Sequence, residues 1–331
     1  MNTPFAPEDL VLGLDVGGTT TRVVVAETSG RVVGTARGGG GNPVSHGAAE
    51  AARSIADALG SALSGVDPAR VAAGVLGLAG GLVTAGGLAE VWSRVGLTVE
   101  PRPATDVELA FAAGTRHPAG SVLISGTGAV AGECRDFAPV RLADGHGWLL
   151  GDRGSGYWLG HSAVRLALGR IDRREELTGL PGAVVEALLG GTEAADPRSA
   201  LIGAVHAEPP VRLARLAPLV LRAAEAGEPA ARGLVSEAAD HLLATLGTVR
   251  PPGTDGPVVL AGGVISVGSP LAAVVRERIA ERWPEAEISH AGNAAGAAAW
   301  LAARSLGAPG LDRLHRTFVG EVVMSRPGPG A

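Results

Sequence analysis

A short apolar strand pattern, followed by a glycine-rich turn and further strand patterns, occurs twice in this sequence. The first copy begins near Val11 and the second near Val122. The segments are, in order, LVLGL (10–14), Gly17-Gly18-Thr19, RVVVA (22–26) and a strand pattern over 32–35, then SVLIS (121–125), Gly126-Thr127-Gly128, 129–134 and 139–142. The recurrence suggests a duplicated domain, although glycine-rich hairpins are common and the two copies share few identical residues.

The remaining apolar spacing alternates helices with single strands. Helical spacing covers 48–63, the stretch after Asp106, most of 155–206, 211–225, 229–248, 270–283 and 293–306. Strands are predicted over 71–78, 258–261 and 286–289. Because 46% of residues are hydrophobic and only 3% aromatic, the interior must consist mainly of Ala, Val and Leu. We therefore predict an α/β protein, and its 331 residues exceed the usual size of one domain.

Charge and cysteine content disfavour several classes of function. The net charge of −5, with acidic and basic residues interspersed, leaves no basic stripe for a nucleic acid. No apolar run reaches the ~20 residues that a membrane span needs, and no signal peptide is predicted. The single cysteine, Cys134, cannot form an internal disulfide, an iron–sulfur cluster or a zinc ribbon, and the eight histidines are scattered. A cytoplasmic protein without a bound transition metal is expected.

Glycine-rich turns after apolar strands are typical of nucleotide sites, because polyphosphate requires close approach of backbone N–H groups. Three such turns are present: Gly17-Gly18-Thr19, Gly126-Thr127-Gly128 and Gly262-Gly263. Each is weak evidence alone, since a glycine after a strand is more often an ordinary turn. The sequence contains neither a Walker A motif nor a GxGxxG turn that opens a helix. P-loop and Rossmann folds are therefore disfavoured.

The order and spacing of these motifs resemble those of the acetate and sugar kinase, Hsp70 and actin superfamily. Its two phosphate motifs and its adenosine motif are similar to GLDVGGTTTR (13–22), SGTG (125–128) and VVLAGGV (258–264). Three further segments resemble N-acetylglucosamine kinases of the BadF/BadG/BcrA/BcrD ATPase superfamily: GNP (41–43), TDVELAFAAG (105–114) and LLGDRGSGYWLG (149–160). The likeness covers about residues 10–305.

The resemblance implies an α/β fold of two ribonuclease-H-like (actin-like ATPase) domains with a nucleotide and sugar cleft between them. The division would lie between residues 115 and 116, giving an N-terminal domain of 1–115 and a C-terminal domain of 116–331. The last predicted helix could pack back on the first domain.

The resemblance also implies roles for individual residues, with ATP and Mg²⁺ as cofactors. Asp106 would be the base that contacts the attacking sugar hydroxyl, and Asp15 would orient the hydration shell of Mg²⁺. The phosphates would be held by Gly17, Gly18, Thr19, Gly126, Thr127 and Gly128, and the adenosine would lie near Gly262, Gly263 and Ala294. The sugar would contact Asn42, Asp106, Gly145, His146 and Asp152. The reaction would be in-line phosphoryl transfer, dominated by positioning and charge stabilisation.

Ordinary structural roles are available for several of these residues. Asp106, between a strand and a helical pattern, could be an N-cap, and the local sequence alone favours that interpretation. Asn42 and Asp152 also fit turn chemistry. Asp15 is harder to explain structurally, because a lone carboxylate in an apolar strand is costly unless it is partnered or functional. Capping and catalysis are compatible at Asp106.

Several positions depart from the pattern of N-acetylglucosamine kinases. Ala129 and Val130 stand where these kinases often carry Ser-Asn, His146 where they carry tryptophan, and Arg153 where they carry an acidic residue. N-acetylglucosamine, converted to its 6-phosphate, is the expected substrate. Glucosamine, N-acetylmuramic acid and other hexoses are alternatives, and Arg153 would favour an acidic sugar.

Two other classes of function compete with the kinase. ATPases of the same superfamily that activate radical dehydratases hold an iron–sulfur cluster, for which Cys134 alone is insufficient. A non-catalytic sugar or ATP sensor would not need Asp106, and no helix-turn-helix module of a repressor fits before Leu10. The prediction is an ATP-dependent sugar kinase whose partner is a small-molecule sugar, with a homodimer left open.

Overall fold

The computed structural model describes residues 8–78, 88–191 and 195–320. These residues form two compact units. The first comprises the described residues up to Pro118 together with those from Ala291 onwards, and the second is Ala119–His290. The sequence-based division lay between residues 115 and 116 and left the stretch after residue 290 in the second domain. Disorder is the prediction for residues 326–331, which lie outside the described residues.

Ten strands and twelve α-helices occur in the described part of the chain. The strands are β1 (Leu10–Val16), β2 (Thr21–Glu27), β3 (Val32–Gly38), β4 (Val71–Leu78), β5 (Arg102–Ala104), β6 (Ala119–Ser125), β7 (Ala129–Arg135), β8 (Ala138–Asp144), β9 (Val258–Ala261) and β10 (Ile288–His290). The helices are α1 (Pro43–His46), α2 (Ala48–Ala62), α3 (Ala89–Arg94), α4 (Asp106–Gly114), α5 (Gly156–Asp172), α6 (Gly179–Leu189), α7 (Pro197–His206), α8 (Ala217–Glu225), α9 (Pro229–Val249), α10 (Pro270–Arg282), α11 (Ala294–Ser305) and α12 (Leu311–Val319).

The first unit is built on a five-stranded sheet with the order β3-β2-β1-β4-β5. The β1–β2 and β2–β3 pairs are antiparallel, whereas β4 runs parallel to β1 and β5 runs parallel to β4. The carboxyl ends of β1, β4 and β5 therefore lie at one edge of the sheet. Ligands of open α/β sheets bind outside such an edge.

Helix α11 lies directly on strand β1 of the same unit. A Cβ atom at Gly13 would overlap the backbone of Ala295 and Ala299, so only glycine permits this approach. The helix begins at a defined residue because the Asn293 side chain accepts the N–H of Gly296 (3.2 Å), which is an N-cap interaction. The start of α11 is thereby held against the first strand.

The second unit repeats this sheet. Its order is β10-β9-β6-β7-β8, with antiparallel β6–β7 and β7–β8 pairs and parallel β6–β9 and β9–β10 pairs. Followed from β8 to β10, the strand order and directions match those of the first sheet from β3 to β5, as a duplicated domain predicts. Helix α9 packs against β6, β7 and β8. The predicted α/β class is confirmed.

Two helical regions differ from the prediction. The single helix expected over 211–225 is a 3-10 helix (Pro210–Leu216) followed by α8, because Pro218 has no N–H to continue the ladder of a helix that started earlier. Helix α12 was not predicted, although its buried Leu314, Phe318 and Val319 follow helical spacing. None of the described helices is both long and apolar enough to cross a membrane.

Candidate active site

The first glycine turn, residues 17–20, connects β1 to β2. Gly17 N–H donates to the Thr20 carbonyl (2.9 Å), which closes the turn. Thr19 is exposed, and within the described residues no protein acceptor takes the N–H of Gly18 or Thr19. Unused N–H groups of consecutive residues in such a turn are suited to an anion.

The chain that leads into α1 packs on this turn. Gly41 N–H donates to the Gly17 carbonyl (3.1 Å), and a Cβ atom at Gly40 would overlap the Gly18 carbonyl. His46 of α1 places Nε2 2.5 Å from the same Gly18 carbonyl oxygen. His46 was not among the predicted site residues, because a histidine four residues after Asn42 carries no local signal for this contact. The turn is thus held by backbone contacts that only glycines permit.

Asp15 is the penultimate residue of β1 and lies beside the turn. Its Cα partner on β2 is Arg22, and the side chains form an ion pair with an Nη1–Oδ2 distance of 3.1 Å. The Asp15 side chain is 27% exposed and that of Arg22 is 49% exposed. Burial raises the pKa of the Asp15 carboxyl, while the hydrogen bond and the charge of Arg22 lower it. A partly desolvated carboxylate therefore stands next to an exposed cation.

Asp106 is the first residue of α4 and directly follows the β5 strand and its connecting Thr105. The N-cap is Thr105, whose side chain accepts the N–H of Glu108 (3.1 Å). The interpretation of Asp106 as the N-cap is therefore wrong. Asp106 Oδ1 accepts the N–H of Val107 (2.9 Å), which leaves Oδ2 for other partners.

Asp106 and Asp15 influence each other electrostatically. The Asp106 residue is exposed at the surface, but the protein atoms around it still raise the pKa of its carboxyl through desolvation. The backbone N–H groups of Val107 and Asp106 lower this pKa, and the negative charge of Asp15 raises it. The two carboxylates stand at the carboxyl edge of the first sheet, because β1, β4 and β5 are parallel. Carboxylates whose pKa values are perturbed by burial and by a like charge are common at catalytic sites.

The second glycine turn, residues 126–128, connects β6 to β7 in the second unit. Gly126 N–H donates to the Gly128 carbonyl (2.9 Å), and the Gly126 carbonyl accepts the N–H of Gly156 (2.8 Å). Thr127 is exposed, and no acceptor in the described part of the chain takes its N–H. A Cβ atom at Gly126 would meet no heavy atom within 4 Å. Packing within the protein therefore does not require glycine at this position.

Asp152 holds this turn from the connection between β8 and α5. Its Oδ1 accepts the N–H of Ala129 (2.9 Å), and a Cβ atom at Gly128 would lie 2.7 Å from the same oxygen. Asp152 is only 8% exposed. Burial raises the pKa of its carboxyl, the Ala129 N–H lowers it, the charge of Asp144 raises it and His146 lowers it. The close contact explains why Gly128 has no side chain.

Asp144 in turn holds the Asp152 segment. Its Oδ1 accepts the N–H of Asp152 (2.8 Å) and its Oδ2 accepts the N–H of Arg153 (3.3 Å). Gly145 follows with a φ of 73° and donates its N–H to the Ala129 carbonyl (2.9 Å). Asp144 was not among the predicted site residues, although an Asp-Gly dipeptide is a recognised turn signal.

Gly262 and Gly263 follow β9 in the second unit. They differ in whether the surrounding structure leaves room for a side chain. Gly262 has a φ of 96°, and a Cβ atom there would overlap the Ser125 carbonyl oxygen and lie 2.9 Å from the Gly126 nitrogen. Gly263 begins a 3-10 helix (Gly263–Ile265), and a Cβ atom there would meet no heavy atom within 4 Å. Gly262 is thus required by packing, whereas Gly263 is not.

The candidate site residues of both units lie within a stretch of the sequence that matches a known protein family. The model of the BadF/BadG/BcrA/BcrD ATPase family matches residues 12–301. This chain belongs to that family. The matched range includes both glycine turns, both carboxylates of the first sheet and the start of α11.

Three relatives of this BadF-family protein are kinases by name. The "N-acetylmuramic acid/N-acetylglucosamine kinase" of Clostridium acetobutylicum is 38% identical over 84 residues, 25% of this chain and 27% of the relative. The "N-acetyl-D-glucosamine kinase" of Dictyostelium discoideum is 30% identical over 196 residues, 55% of this chain and 59% of the relative. The matches thus span less than two thirds of either curated relative.

A solved structure from Chromobacterium violaceum, a "Putative N-acetylglucosamine Kinase", is 27% identical with a TM-score of 0.71. The match covers 89% of this chain and 99% of that one. It confirms the α/β fold class with two ribonuclease-H-like units that the sequence motifs implied.

The predicted residues of this BadF-family chain fall into two groups. Those in the first unit are Asp15, Gly17, Gly18, Thr19, Asn42, Asp106 and Ala294, and those in the second are Gly126, Thr127, Gly128, Gly145, His146, Asp152, Gly262 and Gly263. Within the first group Asn42 is buried and Ala294 is the first residue of α11. Within the second group His146 has an exposed side chain.

Proposed function

We propose that this protein is an ATP-dependent sugar kinase that phosphorylates a hydroxyl of an amino sugar, with N-acetylglucosamine converted to its 6-phosphate as the first choice. The observation that carries the proposal is the pairing of Asp15 and Asp106 at the carboxyl edge of the first sheet, beside a glycine turn with unused N–H groups. Phosphoryl transfer needs such parts, because the protein contributes mainly positioning and charge stabilisation.

Asp106 is proposed as the general base. Thr105 already caps α4, so the Asp106 carboxylate is not needed to hold the helix. Oδ1 is oriented by the Val107 N–H, which leaves Oδ2 to take the proton of the attacking sugar hydroxyl. Desolvation and the charge of Asp15 raise the pKa of Asp106, which strengthens it as a base.

The nucleotide phosphates are proposed to bind the two glycine turns. Gly17, Gly18 and Thr19 in the first unit, and Gly126, Thr127 and Gly128 in the second, would provide N–H and hydroxyl donors. Gly126 supports this role, because open space surrounds the position of a Cβ atom there, and the same is true of Gly263 beside the proposed adenosine. A glycine that packing does not require leaves the backbone open to a ligand. Gly262, Gly263 and Ala294 are proposed to lie near the adenosine.

The carboxylates fit a magnesium ion carried by the nucleotide. Mg²⁺ usually takes one or two carboxylates, substrate phosphates and several waters, and Asp15 can act through water because Arg22 occupies its Oδ2. When bound, Mg²⁺ would neutralise charge on the transferred phosphoryl group. Asp15 would then orient the hydration shell, and Arg22 would keep its carboxylate ionised.

The sugar is proposed to contact Asn42, Asp106, Gly145, His146 and Asp152. The names of the relatives support an amino sugar. Ala129 and Val130 remove two polar groups found in N-acetylglucosamine kinases, and Arg153 adds a cation, so glucosamine, N-acetylmuramic acid and other hexoses stay as alternatives. A cytoplasmic location and a homodimer stay predictions.

A coupled assay of ADP formation across a panel of amino sugars and hexoses tests the proposal. We expect ADP formation to depend on Mg²⁺ and on an added sugar, and N-acetylglucosamine to be the best substrate, because water is a poor substitute for a positioned hydroxyl. Equal ADP release with and without every sugar would rule out the kinase. A protein that binds sugar and ATP without turnover would instead be the sensor.

A further inference from the structure

The second unit contains a groove whose lining does not include its glycine turn. It has a volume of about 430 Å³ and lies between the loop after β8 and one face of α9. Its polar lining comprises Asp144, His146, Arg153, His241, Thr245 and Thr248. Small-molecule sites usually measure about 300–1,000 Å³, so the groove is large enough for a phosphorylated monosaccharide.

Cationic and imidazole side chains line this groove from two segments, the loop after β8 and helix α9. Within the described part of the chain, the Arg153 guanidinium makes no ion pair, and the residue is exposed. The lining carboxylate, Asp144, is already engaged, because its two oxygens accept the N–H groups of Asp152 and Arg153. His146 adds an exposed imidazole from the same loop. Among the described residues Asp144 forms no ion pair with the Arg153 guanidinium, although its carboxylate keeps its negative charge.

His241 completes the groove from α9. Its side chain is 16% exposed, and its ring packs edge-on against Trp158 with a centroid distance of 5.1 Å. Nε2 has no hydrogen-bond partner among the described residues, since the nearest carboxylate, Glu237 Oε1, is 3.6 Å away. Burial and the charge of Arg153 lower the pKa of His241, whereas Glu237 and Asp240 raise it. The nitrogen is itself buried, so a ligand in the groove would lie beside the ring, and an anion there would favour the charged imidazole.

We propose that this groove binds the phosphate group of a small phosphorylated molecule through Arg153 and His146, with the His241 ring beside it. Arginine binds phosphate oxygens in pairs, which suits a phosphomonoester. Arg153 and His146 are two of the positions at which this chain departs from the kinases that it resembles. The site is therefore a property of this chain. It shares His146 with the proposed sugar contacts and rests on the proposed function at that residue, whereas Arg153 and His241 are outside that set.

The side-chain NMR signal of His241 reports on the groove directly. We would label the histidines of the full chain, assign the signal by its loss in His241→Gln, and titrate with inorganic phosphate, glucose 6-phosphate and acetate at constant ionic strength. Both phosphates should move the signal and raise the pKa of His241, because a nearby anion favours the charged imidazole. Tighter binding of glucose 6-phosphate would identify a phosphorylated sugar as the ligand, and equal binding would identify free phosphate. No movement up to about 50 mM, or an equal response to acetate, would overturn the proposal.

Substitution of Arg153 provides the matched comparison. Arg153→Glu should raise the Kd for phosphate at least about tenfold, and Arg153→Gln at least about threefold. Arg232→Glu makes the same charge change at an exposed residue in the first turn of α9, outside the groove, and should leave the Kd unchanged. If Arg153→Glu does not fold, Arg153→Gln decides the outcome. Wild-type affinity in a folded Arg153 variant would contradict the proposal.

Discussion

Each unit contains a five-stranded sheet with the same strand order, but the two sheets differ at the end of the first strand of each unit. The last β1–β2 pair is Val16 with Thr21, and the last β6–β7 pair is Ser125 with Ala129. One residue earlier, Asp15 in the first unit corresponds to Ile124 in the second. The same backbone position carries a carboxylate in one unit and an aliphatic side chain in the other. The strand order alone therefore does not show which unit carries a reactive side chain at this position.

The two glycine turns are also held by different means. The first is held by the backbone of Gly41 and by His46, so its support comes from the segment that precedes α2. The second is held by the Asp152 carboxylate and by the close approach of Gly262. In the first unit Asp15 and Asp106 are proposed to act on ligands, whereas in the second Asp152 also holds the turn itself. We therefore expect the largest loss of turnover from the first unit, and a larger share of stability effects from the second.

Asp106→Asn should have the largest effect. Turnover should fall by about 10²–10⁴, because the proton of the attacking hydroxyl loses its acceptor, while the Kd for ATP changes little. Sugar-dependent ADP formation and separate nucleotide titrations measure the two quantities. A folded variant with near-normal turnover would show that Asp106 is not the base.

Glu108→Gln is the matched control for Asp106→Asn. Glu108 lies in the same turn of α4 and pairs with Arg102 (2.6 Å), and it is buried. Its loss should lower the free energy of unfolding by about 1 kcal/mol and leave turnover within a few-fold. If both variants lost turnover equally, damage to the helix rather than the loss of a base would explain the result.

Two glycine variants of the second unit, Gly126→Ala and Gly262→Ala, should have different effects. One tests whether a ligand approaches the backbone, and the other tests whether packing requires glycine. Gly262→Ala should cost about 2 kcal/mol or more, because the residue has a positive φ and its Cβ would overlap the Ser125 carbonyl. Gly126→Ala should change stability by less than about 1 kcal/mol. It should nevertheless raise the KM for ATP about tenfold, since the new methyl group would lie where phosphate approaches.

Urea unfolding and ATP kinetics on both glycine variants provide the measurements. An unchanged KM for ATP in Gly126→Ala would remove the second turn from the nucleotide site. A stable Gly262→Ala variant would show that the backbone can move away from the Ser125 carbonyl.

Thr105→Ala tests the cap of α4 independently of the base. The variant loses the side-chain acceptor for the Glu108 N–H, so the free energy of unfolding should fall by about 1 kcal/mol. Turnover should fall by less than about tenfold, because Asp106 keeps its bond from Val107. Thermal and urea unfolding measure the first effect and the coupled assay measures the second. A loss of turnover as large as that of Asp106→Asn would assign the catalytic role to the cap.

The pH dependence of stability should give the smallest effect. The pKa of Asp106 is raised in the folded protein, so the folded state binds its proton more tightly than the unfolded state. Stability contributed by this proton is therefore lost as pH rises from the ordinary carboxyl pKa, about 3.9, through the raised value. Asp106→Asn has no carboxyl to ionise, so its free energy of unfolding should rise relative to that of the wild type over this pH range. The difference should be less than about 1 kcal/mol, because solvent screens the charge of Asp106.

Glu27→Gln should show the opposite sign. Hydrogen bonds from Arg31 and Ser29 lower the pKa of Glu27, so the wild type gains stability as pH rises through the titration of this carboxyl. The variant should therefore lose stability relative to the wild type over that window. Urea unfolding at several pH values measures both slopes, and slopes of the same sign would contradict the assigned directions.

Much of the fold could be predicted because its signals are local. β4 and β9 were predicted at their observed bounds, and α2 and α9 within one residue, since apolar spacing and β-branched runs determine these elements. Helix α12 was missed because nine residues of helical spacing near a chain end are a weak signal. The cap of α4 was assigned to the wrong residue, because Thr105 and Asp106 are both good capping residues and only the backbone conformation distinguishes them.

The sequence by itself determined the repeated strand and glycine-turn pattern, and with it the fold class, because strand propensity and the conformational freedom of glycine act within a few residues. Only the tertiary structure decided that the stretch from Ala291 joins the first unit, where α11 lies on Gly13 of β1. It alone showed that Arg153 and His241 line one groove. These contacts join residues far apart in the chain, and they depend on packing and backbone geometry that no local propensity specifies.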